Sequence, residues 1–471
     1  MKQEIYERRV TPLERFFSWS PYSTVTVVAR IKGDISEQML TEAVKKAQLR
    51  HTNLRVRIKE DEERNLWFTS EGVKEIPILV VTRESDDHWM TVQDEESKKP
   101  FEFDERPAIR FILVHSPDVS EMIILCHHII CDGLSLAYLA RDLMAYLGDP
   151  EEDVEILPDP APIDLDNLPK DVSLNPVAKF FVNRINKRWR KERIHFDKED
   201  YRNLSEAYWM KARHQIISIE LSESQTTSLV KRCKEEGVTV NSALTTAFVG
   251  APQNVQGRSK ELSSTAIAGN LRDRLLRPAG EEMGYFAGAV TLDYSYDERK
   301  GFWDNARRLN RKAQPLYTNK NLFKEGVVWC HLEPGYLEAM NFKKLGGLVP
   351  THLPRYEKLS AFSERDDVVS SILKREKMES LDKIFMGTAV TNLTRMGFPR
   401  EYGDLKLDRL IFIPGGAFPL SNVNLVLGAV TCSGRLSLIV EYDEGVINTD
   451  TMTKIRDKAM GFLLDGLPQH L

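Results

Sequence analysis

Met122-Ile-Ile-Leu-Cys126-His127-His128-Ile-Ile-Cys131-Asp132-Gly133-Leu-Ser135 is the stretch on which the reading turns. Met122 to Cys126 is an apolar run of strand length, far too short to cross a bilayer. It ends at once in two histidines. An acid stands four positions beyond the second, and Gly133 lets the chain turn sharply into a helix. Leu136, Leu139, Ala140, Leu143 and Leu147 then recur at helical spacing until Gly148-Asp-Pro150 stops the run. A histidine at a strand end suits proton transfer, because imidazole titrates near neutral pH. Asp132 is too close in sequence to be taken as a serine-protease-style orienting acid. It equally fits a carboxylate that fixes the loop through a buried arginine, a pair whose disruption costs about 3–5 kcal/mol. Neighbouring residues on a strand point to opposite faces, so His127, His128 and Asp132 make a poor metal set and no metal is expected. Cys126 and Cys131 flank the histidines and admit a Cys–His nucleophile. Free cysteine is more often a small buried hydrophobe.

Upstream, Thr24-Val-Thr-Val-Val-Ala-Arg-Ile31 is β-branched and reads as a strand. Ser36 caps a helix over 37–49, on which Met39, Leu40, Ala43, Val44 and Ala47 share a face. Further strands are expected over 56–58, 76–81 and 109–115. Beyond the helix that follows Gly133, residues 149–172 carry five prolines and many acids and read as a linker. Residues 177–193 interleave Lys179, Arg184, Lys187, Arg188, Arg190, Lys191 and Arg193 with Phe180, Phe181, Ile185 and Trp189, a basic amphipathic helix. The second half repeats strands and helices: strands over 215–219, 265–268, 289–292, 385–390, 425–431 and 436–442, helices over 222–234 and 242–248. This alternation predicts an α/β layer sandwich of mixed α+β character. A chain of 471 residues exceeds one ordinary core, so two lobes are expected. The division is 1–172 for the lobe carrying the histidines, 173–206 for a linker with the basic helix, and 207–471 for the second lobe.

With 65 basic and 70 acidic residues the net charge is −5, which gives no field for nucleic acid. Five scattered cysteines without metal spacing fit a reducing compartment. The opening Met1-Lys-Gln-Glu-Ile-Tyr-Glu-Arg8 has no apolar signal core. The expectation is a soluble cytoplasmic protein with no membrane span.

The histidine segment resembles the HHxxxDG signature of the condensation-domain and chloramphenicol-acetyltransferase-like acyltransferase superfamily, matching at His127, His128, Asp132 and Gly133. Other segments are similar to the superfamily's elements: Thr11-Pro-Leu-Glu14-Arg15, Arg50-His51-x-x-Leu54-Arg55, Gly237-Val-Thr-Val-Asn241, Asn270-Leu-Arg272 and Gly284-Tyr-Phe286. Thr391-Asn392-Leu393 and Tyr402-Gly-Asp404-Leu resemble late elements of the polyketide-associated and alcohol acyltransferase branch. The DFGWG motif of the plant-type branch is absent, and the asparagine that follows G-x-F in peptide-synthetase condensation domains is missing. No carrier or adenylation domain is recognised, so a stand-alone O- or N-acyltransferase is favoured over a synthetase module.

The resemblance implies two lobes with an active-site tunnel between them and an acyl thioester donor. His128 matches the catalytic base, with His127 beside it, and Gly133 the turn glycine. Asp132 matches the structural acid that pairs with an early arginine, for which Arg50, Arg55 and Arg15 are the candidates. Asn392 is the candidate for helping the oxyanion. No cofactor is expected, since acyl-CoA or a phosphopantetheine thioester serves as substrate. The acceptor would be a small alcohol or amine. An acyl-carrier protein is a candidate partner, with Arg272, Arg274, Lys187 and Arg188 as docking residues. Competing readings are a stand-alone amide-forming condensation enzyme and a non-catalytic member that binds a carrier. The intact His128 argues against the second of these.

Overall fold

The computed structural model describes residues 5–375, 384–415 and 423–465. Its first sheet grows around the histidine strand, Val119–His127, whose residues are buried from Ser120 onward. Thr24–Lys32 runs antiparallel beside it, with Thr24 opposite His127 and Val25 opposite Cys126. Ile109–His115 flanks its other side, and Ile78–Thr82 closes that edge in parallel. β-Branched and aliphatic residues fill the three inner strands because both faces are covered, whereas the edge strand Ile78–Thr82 is partly exposed. The helices Glu37–Arg50 and Gly133–Gly148 pack on one another over the sheet, capped by the side chains of Ser36 and Asp132.

The other edge of this sheet comes from the far end of the chain. Leu405–Ile413 pairs antiparallel with Thr24–Lys32, and Glu401–Tyr402 adds a short strand beyond it. No strand was expected there, because Lys406, Asp408 and Arg409 interrupt the apolar run. The register slips between Leu407 and Arg409, which also breaks the simple alternation that marks a strand.

The second six-stranded sheet has the order Ala287–Asp293, Ser264–Asn270, Met386–Arg395, Val423–Cys432, Arg435–Asp443 and His214–Leu221. Met386–Arg395 is parallel to both neighbours; the other pairings are antiparallel. Val240–Gln256 and Thr449–Leu464 pack together against it. The molecule therefore has mixed helices and sheets in two sheet-containing lobes.

Two regions differ from the sequence expectations. The strand expected over 56–58 lies at Arg57–Glu60, in a small three-stranded sheet with Leu66–Thr69 and Glu7–Arg9. Residues 302–375, for which no element was read, are largely helical: Phe302–Ala313, Lys324–His331, Pro334–Leu345, Tyr356–Glu364 and Val368–Arg375. Several of these helices share a separate core with the basic helix, Pro176–Glu192, which contributes Val182 and Trp189. Among the described residues no helix is long and apolar enough to cross a membrane.

Candidate active site

The histidine strand delivers its last two side chains to opposite sides. His127 is fully buried, edge-on to Phe103 with ring centroids 5.0 Å apart. Its Nε2 lies 3.1 Å from the Ser20 carbonyl, and the Ile129 amide donates to its Nδ1 at 3.3 Å, which assigns the proton to Nε2. Burial drives its pKa down to about 3 against the opposing Ser20 carbonyl, so the ring is neutral. His127 was expected among the catalytic residues; the structure makes it an internal strut, away from the cavity described next.

His128 lines a cavity of about 430 Å³ whose walls come from both halves of the chain, including Phe17, Ile163, Ala268, Tyr285, Phe323 and Phe412. The imidazole is half-buried, with the Phe17 and Tyr285 rings each centred 5.4 Å away. Its backbone amide donates to the Ser23 carbonyl at 2.8 Å, which anchors the turn to the neighbouring strand. Its Nδ1 lies 3.2 Å from the Cys131 carbonyl; a carbonyl only accepts, so Nδ1 carries the proton and Nε2 keeps its lone pair. Desolvation lowers the His128 pKa, opposed by the Cys131 carbonyl, the Asp132 charge and the Pro414 carbonyl. The ring is thus a neutral base at neutral pH. The same carbonyls and carboxylate favour the imidazolium once a proton arrives.

Asp132 acts on His128 through its charge, while its oxygens are held by other groups. It caps the helix Gly133–Gly148, its Oδ1 accepting from the Ser135 amide at 2.8 Å. Arg272 Nη2 donates to the same oxygen at 2.9 Å, and the Phe286 amide donates to Oδ2 at 3.0 Å. Ser135 Oγ lies 2.9 Å from the Gly284 carbonyl and accepts from the Gly284 amide at 3.2 Å. The Gly284-Tyr-Phe286 segment is therefore clamped by its backbone onto the Asp132 turn, which leaves Tyr285 beside His128. Gly133 is needed for closeness: a Cβ there would lie 2.6 Å from the Phe412 ring and 2.9 Å from Leu393.

This corrects the expected partner of Asp132. Arg50 instead bonds Asp142 at 2.9 Å and Glu281 at 3.0 Å, three turns down the helix. Arg15 pairs with Glu338 at 2.6 Å, and Arg55 lies 3.5 Å from the Thr52 hydroxyl. The helix N-terminus faces the second half of the chain, so the arginine comes from there. It also removes Arg272 from the docking surface: the residue is only 2% exposed, with its guanidinium 4.5 Å from the Phe286 ring centroid. Arg274 is half-buried and donates to Asn319 at 2.9 Å. Lys187 and Arg188 are exposed on the basic helix, outside the cavity lining. Asn392 is likewise not among the described lining residues; its side-chain oxygen accepts from the Thr394 amide at 2.7 Å.

Tyr285, Lys324 and Glu325 were not singled out in the sequence, yet all line the cavity. Glu325 is exposed, and desolvation raises its pKa against the pull of Lys324. A larger cleft of about 790 Å³ lies behind the cavity; Pro12, Pro162 and His331 border it where Leu13, Ile163 and Trp329 border the other. It holds none of the histidine-motif residues.

Residues 8–156 match the family model of the Condensation domain. The dimodular nonribosomal peptide synthase of Bacillus subtilis (strain 168) is 28% identical over 138 residues, 29% of this chain and 6% of that protein. Cyclosporin synthetase of Tolypocladium inflatum is 21% identical over 368 residues, 72% of this chain and 2% of that protein. The chain thus spans a small fraction of the length of the curated relatives it matches. Among solved structures, TRI3 trichothecene 15-O-acetyltransferase from Fusarium sporotrichioides superposes with a TM-score of 0.63 at 13% identity, covering 98% of this chain and 95% of that one. Polyketide synthase associated protein 5 from Mycobacterium tuberculosis gives 0.59 at 13%, covering 98% of both chains. The first condensation domain of the CDA synthetase gives 0.58 at 14%, covering 99% and 98%. Residues 8–156 are thus similar in sequence to the Condensation domain, and the whole chain has the fold of these condensation-domain and acyltransferase structures.

Proposed function

We propose that the chain is an acyltransferase that moves an acyl group from a thioester to a hydroxyl or amine, with His128 as general base. His128 Nε2 takes the acceptor's proton as the oxygen or nitrogen attacks the thioester carbonyl. The tetrahedral oxyanion collapses, the carbon–sulfur bond breaks, and the thiolate leaves with the proton returned by the imidazolium. The observation that carries the reading is the bond from Nδ1 to the Cys131 carbonyl, which fixes the tautomer a base requires. The apolar cavity wall suits an acyl chain. No acyl-enzyme is needed, and burial pushes the Cys131 thiol up, against its acting as a nucleophile. The step as written uses no cofactor. Five buried, unpaired cysteines support a reducing, cytoplasmic setting.

Acyl-CoA and a carrier-bound phosphopantetheine thioester share the reacting group, so both are candidate donors. An amide-forming reaction is the second reading, supported by the condensation-domain match over 8–156. The test is thiol release from a panel of acyl-CoA and carrier thioesters, with and without alcohols and amines, followed by product mass. Release that needs an acceptor and yields an ester or amide supports the proposal. No acceptor-dependent release across the panel would sink it.

A further inference from the structure

The basic helix Pro176–Glu192 has two faces of opposite character. At 100° per residue, Val182, Ile185, Asn186 and Trp189 fall on one side, and the structure packs that side inward. Asn186 fixes it by donating to the His331 carbonyl at 2.8 Å and accepting the Glu333 amide at 3.0 Å. The opposite side gathers Val177, Phe180 and Phe181 in the first turns, then Arg184, Lys187, Arg188 and Lys191 along one stripe. Val177 is 66% exposed, Phe180 62% and Phe181 52%. The two phenylalanine rings touch only edge to face, with centroids 5.8 Å apart. The helix carries six basic residues against the single acid Glu192, in a chain whose net charge is −5.

Fully solvated aromatic pairs are costly, and large exposed apolar groups mark a contact surface. A rigidly anchored helix whose free face combines protruding rings with a stripe of cations has the pattern of an interfacial helix. We propose that this face docks the protein peripherally on an anionic lipid surface, with Phe180 and Phe181 inserted at the headgroup level and Arg184, Lys187 and Lys191 on the lipid phosphates, while Arg188 stays paired with Glu192 at 2.7 Å. The rings decide between lipid and an acidic protein: they stand out from the helix as an edge-to-face pair, which a deformable interface accepts without a matching pocket. The proposal does not depend on the acyl-transfer reading.

The experiment is co-sedimentation of the full chain with vesicles of phosphatidylcholine alone or mixed with phosphatidylglycerol, at low and high salt. Each basic residue near an anionic surface contributes roughly fivefold to partitioning, so Arg184→Glu/Lys187→Glu should lower binding to the mixed vesicles by at least about a hundredfold. Phe180→Ser/Phe181→Ser should lower it by about tenfold or more and leave the thermal melt unchanged, since both rings are more than half exposed. Raised salt should weaken wild-type binding. Wild type that stays in the supernatant with the mixed vesicles overturns the proposal, as does partitioning indifferent to the serine substitutions. So does capture of an acidic acyl-carrier protein by these residues without vesicle binding.

Discussion

The two sides of the histidine strand, one residue apart, are built on different terms. On the His127 side every polar atom is matched: a carbonyl takes one ring nitrogen, an amide supplies the other, and Phe101 and Phe103 close around them. On the His128 side one nitrogen is fixed, and the ring, flanked by Phe17 and Tyr285, borders open space. Alternation along the strand is enough to separate them. What the contrast teaches is that a paired motif can divide its surroundings: one ring is locked into the turn, and the next is left facing a cavity.

The comparison breaks most visibly if the open side is not the working side. His128→Ala should lower kcat by about 10²–10⁴-fold in the thiol-release assay, with an unchanged circular dichroism melt. A variant with wild-type turnover would remove the base assignment. Next comes the junction that aligns both sides. Arg272→Met leaves the Asp132 carboxylate buried without its cation and should cost about 3–5 kcal/mol in urea unfolding, whereas Arg55→Met should stay within about 0.5 kcal/mol. Equal effects would return the pairing of Asp132 to an early arginine.

The sealed side has its own signature in acid. The His127 pKa is depressed, so the unfolded chain binds the extra proton first. Stability is then full above the ordinary histidine pKa and falls as pH drops from about 6.5 towards about 3. At pH 5 the loss from this group should be about 2 kcal/mol, and His127→Phe should flatten that slope in a pH series of melts. On the open side the depressed His128 pKa places the rise of kcat/KM below pH 6.5, with a plateau through neutrality. A midpoint above that value would contradict desolvation as the dominant influence. The smallest effect concerns acceptor choice: Glu325→Gln should raise KM several-fold for acceptors bearing a cation and leave neutral ones unchanged. A uniform change would place Glu325 outside the acceptor site.

Much of the site could be read because its signals are local. Strand length, the paired histidines, the N-cap acid and the turn glycine all lie between Met122 and Ser135, and the helix after Gly133 shows its period plainly. The partner of Asp132 could not be read this way. Arg272 lies far away in sequence and looks like one of several surface arginines until the lobes meet. The hint was present in Gly284-x-Phe286, whose backbone amides close the same clamp. Tyr285 was hidden for the same reason: its neighbours are fixed through main-chain atoms, which spacing does not report. The helices between 302 and 375 were legible in principle, for Ala306, Leu309 and Ala313 recur at helical intervals. Leu405–Ile413 was not, because charged residues and a register slip disguise it.

That late strand has a consequence for making the protein in pieces. The condensation-domain match stops at residue 156, yet the sheet it describes is incomplete without residues 405–413. A fragment ending near 172 would present Thr26 to Lys32 as an unpaired, largely apolar edge, a template for intermolecular β pairing. During synthesis the same edge waits on the ribosome until the last quarter of the chain emerges, so soluble production depends on keeping the ends of one polypeptide together.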